Sequence, residues 1–387
     1  MKVNRFGSAA ALLAVALAAA ACGSSSSSSG TSGSTGSAAS GGTGTTYQST
    51  LDTLYKGELG TPPTTPAKAK AGVSVWVISC GQQVPSCVTP TQAAVSAAKL
   101  VGWTTHVCDG QLNPNGWGTC VRQATSAKAT VILPVGIDCA SIKQPFQEAK
   151  AAGVTVVGAG GADCDATGGT KLWATERLQL KDTTIKQYWE LSGKMRADWL
   201  IAKTGGKASV LLLNFTDPIW GPWITEGFTT ELATCSGCSV AKQLDLSNND
   251  FVSNQANTKF ATALLQVPNA NAVAVPVDGW LIGGFAQAIV SSGRASKLEV
   301  CGGFGDTANL ALIRTGKGQN CAVGYAPAWG AWGSIDEAIR VLNGQQPEVE
   351  GDGLQVIDAD HNLPAAGQAY QPPVDFETAY KKAWGVS

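Results

Sequence analysis

The residues able to do chemistry in this chain fall into three sets: cysteines, a few polar or glycine residues at the ends of apolar runs, and tryptophans in similar positions. Cys22 stands apart near the start, and Cys80, Cys87, Cys108, Cys120, Cys139, Cys164, Cys235, Cys238, Cys301 and Cys321 make up the rest of the 11. An even set of ten in an exported chain suits five disulfides. Spacing does not settle their connectivity, but pairing them in chain order closes the shortest loops and is the simplest expectation. Cys235-Ser-Gly-Cys238 has the CxxC spacing of a redox motif or of half a zinc site. No second thiol pair with zinc-ligand spacing and no thioredoxin-like surroundings accompany it, so a structural bridge is expected. With 2 His in all, and His106 far from His361, neither a His-rich metal centre nor a histidine-based catalytic pair is expected.

Catalytic motifs are missing as well. There is no GxSxG elbow, P-loop or HExxH, and Gly158–Asp163 (GAGGAD) breaks the dinucleotide fingerprint at its last position, where Asp163 stands. The chain is therefore read as a non-enzyme without cofactor. Lys and Arg number 27 against 28 Asp and Glu, a net charge of −1, which argues against nucleic acid, whose phosphates need a basic face.

The first 22 residues read as an export signal. Lys2 and Arg5 precede an apolar run from Ala9 to Ala21, shorter than the roughly 20 residues that span a bilayer. Ala19-Ala20-Ala21-Cys22 resembles a bacterial lipobox, in which the Cys is acylated, with Ala19 where Leu is usual; the alternative is an ordinary secretory signal with Cys22 incidental. No charge then occurs before Asp52, and a Ser/Gly/Thr-rich stretch over 23–70 is expected to be a flexible tether. A lipid-bearing Cys22 and a tether would hold a soluble domain at the outer face of a membrane.

The elements that must position the remaining residues begin at Ala71. Apolar β-branched runs at 73–79, 104–108, 129–134 and 154–159 alternate with helical spacing at 90–100, 117–126 and 141–152. The pattern restarts with a helix over 186–203, followed by strands at 208–215, 239–246, 272–277, 298–304 and 321–326. Helices are expected over 223–233, 260–265, 281–291, 307–314 and 334–342. Alternation of this kind predicts an α/β fold of two Rossmann-like lobes with parallel sheets. Such sheets bind ligands beyond the carboxyl ends of their strands, so two facing lobes would make a cleft. Trp220, Trp223, Trp280, Phe304, Tyr325 and Trp329 stand at or near those ends. Their rings can stack on a sugar or pack round an apolar solute, although each can equally fill the core or hinge. Gly136 and Asp138 follow the third strand, and Asp138 is expected to cap the helix after it.

Residues 129–160 (ATVILPVGIDCASIKQPFQEAKAAGVTVVGAG) resemble the strand–helix–strand signature of type I periplasmic binding proteins of the ribose-binding kind. Val277-Asp278-Gly279-Trp280, the VCGGFGD stretch at 300–306 and the LNG that ends the helix before 344 resemble the same family's second half, so the likeness runs from about 71 to 355. It implies a solute receptor of an ABC importer, monomeric, with three hinge crossings near 175–186, 325–329 and 353–357. The implied first lobe is 71–180 plus 328–353, and the second is 181–327 plus 354–387. Gln82 and Gln83 stand where the family's first-lobe polar ligand residues lie, or else form an exposed loop clamped by Cys80 and Cys87. Gly160-Gly161 replaces the Asp-Arg pair of sugar-binding members; Asp278 is retained, but Val277 replaces the Asn before it. Phe304 aligns with an expected Asp, and Asp306 is close by. The expected ligand is therefore a small neutral solute gripped by rings and amides. The partner is an ABC permease or, alternatively, a membrane sensor.

Overall fold

The computed structural model describes residues 42–386. The signal, Cys22 and the front of the expected tether lie outside the described residues.

The chain runs α1 (Gly42–Lys56), β1 (Ser74–Ser79), α2 (Pro85–Leu100), β2 (Thr104–Asp109), α3 (Pro114–Ser126), β3 (Val131–Val135), α4 (Lys143–Ala151) and β4 (Thr155–Val156). It continues through α5 (Ile185–Lys203), β5 (Ser209–Phe215), α6 (Trp220–Leu232), β6 (Ser239–Leu246), α7 (Asn248–Val252), α8 (Ala256–Gln266) and β7 (Ala272–Ala274). Then come α9 (Asp278–Trp280), a π turn, α10 (Ala286–Ser291), β8 (Glu299–Phe304), α11 (Thr307–Thr315), β9 (Cys321–Gly324), α12 (Pro327–Leu342), β10 (Gln355–Asp358) and α13 (Phe376–Trp384). Helices α2 and α12 start earlier than apolar spacing alone predicts, because Pro85 and Pro327 sit in their first turns, where the missing N–H costs nothing and φ is already helical.

Among the described residues the strands form two sheets, ordered β2-β1-β3-β4 and β10-β9-β8-β7-β5-β6. All pairings are parallel except β10 on β9. Every residue of β3 is buried, as is expected of a strand covered by helices on both faces. The alternation of strand and helix thus yields the two Rossmann-like lobes, with the carboxyl ends of both sheets presenting the cleft loops. Among the described residues, five disulfides join cysteines in chain order: Cys80–Cys87, Cys108–Cys120, Cys139–Cys164, Cys235–Cys238 and Cys301–Cys321. The three first-lobe bridges each hold a cysteine at or just past the carboxyl end of β1, β2 or β3.

Two expectations are corrected. Residues 42–70 are not a free tether. Helix α1 packs on α5 and β10, burying Leu54 and Tyr55. The chain after α1 pairs with the third crossing, Glu58 exchanging hydrogen bonds with Leu354 and Gly60 donating to Gly351. It then enters the first lobe, where Ala67 is buried and Arg340 donates to the Thr65 carbonyl. The physical reason is composition: from Leu51 onward this stretch carries apolar side chains that a purely polar tether lacks. Nor does 354–387 belong wholly to the second lobe. Strand β10 does, but α13 returns to pack on α12, stacking Trp384 on Trp332 and donating from Trp384 Nε1 to Asp336. Besides the three crossings between Thr175 and Ile185, Gly324 and Pro327, and Leu342 and Gln355, two more links therefore join the lobes: the strap after α1 and the tail before α13.

Candidate functional site

Aromatic rings gather in the second lobe because two helices approach closely. Helices α5 and α6 cross at Gly193 and Gly227: a Cβ on either would lie 2.0 Å from a carbonyl of the facing helix, Ile224 or Glu190. That approach stacks Trp189 of α5 on Trp220 of α6, with centroids 5.3 Å apart. Phe304, at the end of β8, lies 6.4 Å from Trp220, and Tyr325, just past β9, lies 5.9 Å from Phe304 and 6.3 Å from Trp189. Trp189, Trp220, Phe304 and Tyr325 thus form a closed cycle of ring contacts drawn from four elements. Phe304 holds φ at +78°, a strained conformation for a bulky side chain and of the kind found where structure serves a site. The buried Trp189 Nε1 has no hydrogen-bond partner.

Of the other predicted aromatics, Trp223 is half-buried at the edge of the same core. Trp280 does not face the cleft set: it is buried against Phe215, Phe251 and Phe285 in the core behind the sheet. Trp329 is fully buried, stacks on Phe376 and donates from Nε1 to the Glu350 carbonyl at 3.0 Å. Both are core or hinge residues, because their strand-end positions place them on helices that turn back over the sheet.

Asp278 is fully buried and serves the protein itself. Its Oδ2 accepts from the Gly305 and Asp306 N–H groups at 2.7 and 3.0 Å, and its Oδ1 from Gln319 at 3.2 Å. Burial pushes its pKa up to about 7, with the Asp306 charge adding to the shift. Asp278 therefore holds the loop that carries Phe304 rather than gripping a solute. Asp306 is part of that loop, and burial raises its pKa too.

On the first-lobe half, Gln82 and Gln83 are exposed, Gln82 donating to Ser79 Oγ and, from its backbone, to Asp109. Gly136, with φ +65°, leaves the following loop room beside Cys80 Sγ. Gly160 has φ +105°, and a Cβ on Gly161 would lie 2.1 Å from the Ile137 carbonyl. The Gly160-Gly161 pair is thus required for two loops to touch. Asp138 corrects its expected role: it precedes a short 3-10 turn (Cys139–Ile142) but makes no side-chain cap there. Instead Oδ1 accepts from Ala162 N and Oδ2 from Ile219 N in the second lobe, each at 3.0 Å. Burial raises its pKa, and the two N–H donors oppose the rise.

At the hinge, Arg177 from the first crossing donates to Tyr325 OH at the second and to Glu350 and Asp352 at the third, at 3.0, 2.5 and 2.6 Å. Burial raises the Asp352 pKa to about 7 against the pull of Arg177, and Glu337 is raised well above its ordinary value by burial and the Glu350 charge. Near Arg177 and Tyr325 a cavity of only about 10 Å³ remains, roughly the room of one water. Cys139, Asp163 and Cys164 come within metal-ligand reach of one another. Both sulfurs are spent in a disulfide, however, and Asp163 accepts from three backbone N–H groups.

Sequence reasoning missed Trp189, Arg177 and Ile219. Trp189 lies on a helix face, outside any search of strand ends. Arg177 was legible as the one cation in the 175–180 stretch of the first crossing, with Glu350 and Asp352 in the third.

A family model for the periplasmic binding protein domain matches residues 81–346. No curated protein matches the chain. Among solved structures, an ABC transporter periplasmic solute binding protein from Actinobacillus succinogenes 130z with bound D-allose is 19% identical, at TM-score 0.63, covering 74% of this chain and 98% of that one. An ABC transporter solute binding protein from Mycobacterium smegmatis with bound glycerol is 18% identical, at TM-score 0.64, covering 77% and 99%. A glucose-galactose binding protein from Geobacillus stearothermophilus is 18% identical, at TM-score 0.64, covering 76% and 100%. At these identities the likeness shows a shared fold.

Proposed function

The chain belongs to the periplasmic binding protein domain family, and from that premise we propose that it is an extracytoplasmic receptor that captures a small neutral solute and delivers it to an ABC importer. The observation that carries the solute class is the closed cycle of Trp189, Trp220, Phe304 and Tyr325, taken with Gly160-Gly161, which stands in the first lobe in place of a charged grip. Ring faces favour an apolar or sugar-ring face, and a site with few free charges disfavours a highly charged solute. The proposed contacts are Trp220, Phe304 and Tyr325 from the second lobe and Gln82, Gln83 and Gly136 from the first. A solute touching both lobes stabilises their closed arrangement by its differential affinity. Cys22 as the lipid-bearing residue, followed by the polar stretch up to α1, supplies the membrane attachment in this reading.

A panel of neutral sugars and polyols, including D-allose, galactose, glucose and glycerol, tests it by thermal shift. A ligand at 100 times its Kd adds about 2.7 kcal/mol of stability, a shift of several degrees. Binding of charged amino acids or phosphates with no response to any neutral solute would overturn the assignment.

A further inference from the structure

We infer that Asp138 is a lobe-to-lobe latch, a helix cap supplied by the first lobe to the first turn of α6 in the second. The inference rests on the reading of the chain as a receptor whose lobes close.

The start of α6 has no cap of its own. Its N-cap residue is Ile219, which carries no polar side chain and makes no side-chain cap bond. The first N–H groups of a helix lack intrahelical acceptors and form its positive end, so this end calls for an anionic acceptor. Asp138 stands at the start of a short 3-10 turn and makes no side-chain cap bond to it. Its two oxygens are divided between the lobes: Oδ1 is fixed by Ala162 N and Oδ2 reaches Ile219 N, both at 3.0 Å.

The surrounding sequence is built to hold that carboxylate in place. Cys139, the next residue, is bridged to Cys164, and its backbone N–H donates to the Ala162 carbonyl at 2.8 Å. The loops carrying Asp138 and Ala162 are therefore tied by a covalent bond and by hydrogen bonds in both directions. The approach depends on Gly161, where a Cβ would lie 2.1 Å from the Ile137 carbonyl and 3.0 Å from Asp138 N. The glycine pair that removes a charged grip on the solute thus makes room for a charged grip on the other lobe. Asp138 is 8% exposed, so closing the lobes takes a carboxylate out of water. The two N–H donors and the helix end offset that cost only while the lobes stay together.

The test needs no solute, so its result stands apart from that of the solute panel. In the disulfide-bonded protein, the Ile219 amide is expected to exchange its hydrogen at least about ten-fold more slowly than a free amide, the order expected of one hydrogen bond to an ionised acceptor. Asp138→Ala should return Ile219 to the free rate, leave the interior amides of α6 protected, and enlarge the radius of gyration in solution scattering. Ile219→Pro removes the donor from the other side, and the φ of −58° at Ile219 lies within proline's range. Because both variants break the Asp138–Ile219 bond, the double variant should expand no further than Asp138→Ala, which also releases Ala162 N. Free exchange of Ile219 in the unaltered protein, protection that survives Asp138→Ala, or additive expansion in the double variant would each overturn the latch.

Discussion

At the scale of single residues, position after a strand does not decide which tryptophan meets a solute. Trp220 and Trp280 follow β5 and β7 in the same way, yet Trp220 is half-buried within the ring cycle and Trp280 is buried behind the sheet. Trp220→Ala is expected to weaken solute binding at least ten-fold with little change in melting temperature. Trp280→Ala should instead cost about 3–5 kcal/mol of stability, as large-to-small core changes do. Thermal denaturation beside a binding titration of the same variants separates the two, and the reverse pattern would exchange their roles. Asp138, Asp278 and the Gly160-Gly161 pair were legible as candidates in the sequence, the first as a helix cap, the second as a retained carboxylate and the pair as a replacement of charged residues. Their jobs were not, because a carboxylate's role depends on which N–H groups the fold brings to it, from up to 81 positions away for Asp138 and Ile219.

At the scale of elements, the alternation of strands and helices was legible from periodicity, and so was the in-order pairing of cysteines. What escaped was the packing of the chain's ends. Helix α1 has a polar sequence with few apolar positions, and it docks through the buried Leu54 and Tyr55 with Tyr47 and Leu51 packed alongside. Tyr55 stacks on His361 with centroids 3.7 Å apart and donates to Asp358 at 2.5 Å. The contacts of Asp358 with Tyr55, His361 and Lys203 outweigh its burial and hold its pKa down to about 2. The strap after α1 then lies so close to the third crossing that a Cβ on Gly353 would meet the Glu58 carbonyl at 1.7 Å. Gly353→Ala should therefore displace the strap and cost about 1–3 kcal/mol, the usual scale of overpacking. Faster proteolysis within 57–66 would accompany that loss, whereas unchanged stability and protease resistance would show that the strap is dispensable to the hinge.

At the scale of the whole molecule, the hinge gathers more carboxyl groups than cations. Glu337, Glu350 and Asp352 are buried around Arg177, and the Asp352 pKa stands at about 7 against an ordinary 3.8. A carboxyl whose pKa is raised on folding binds its proton more tightly in the folded state. The stability it contributes is complete below the unfolded pKa and is lost as pH rises through the folded one. Melting temperature is therefore expected to fall as pH increases from about 4 to about 7, and Asp352→Asn should flatten part of that slope. A melting temperature that rises steadily over this range would contradict the assignment. Reduction of the five disulfides should loosen the carboxyl ends of the first lobe's strands most, since each of its three bridges is anchored there.

The lobes themselves follow from sheet order and crossings, and the central claim is that a neutral solute draws them together over the ring cycle. The most direct measurement is solution scattering combined with tryptophan fluorescence, as each member of the neutral sugar and polyol panel is titrated into the disulfide-bonded protein and into its Asp138→Ala variant, whose lobes are no longer latched. The account predicts that at least one member shifts the emission of Trp189 and Trp220 with a single saturating curve and reduces the radius of gyration of Asp138→Ala, and that both responses are lost when Trp220→Ala is added. A solute that binds tightly without compacting Asp138→Ala, or that compacts it equally well with Trp220→Ala added, would contradict it.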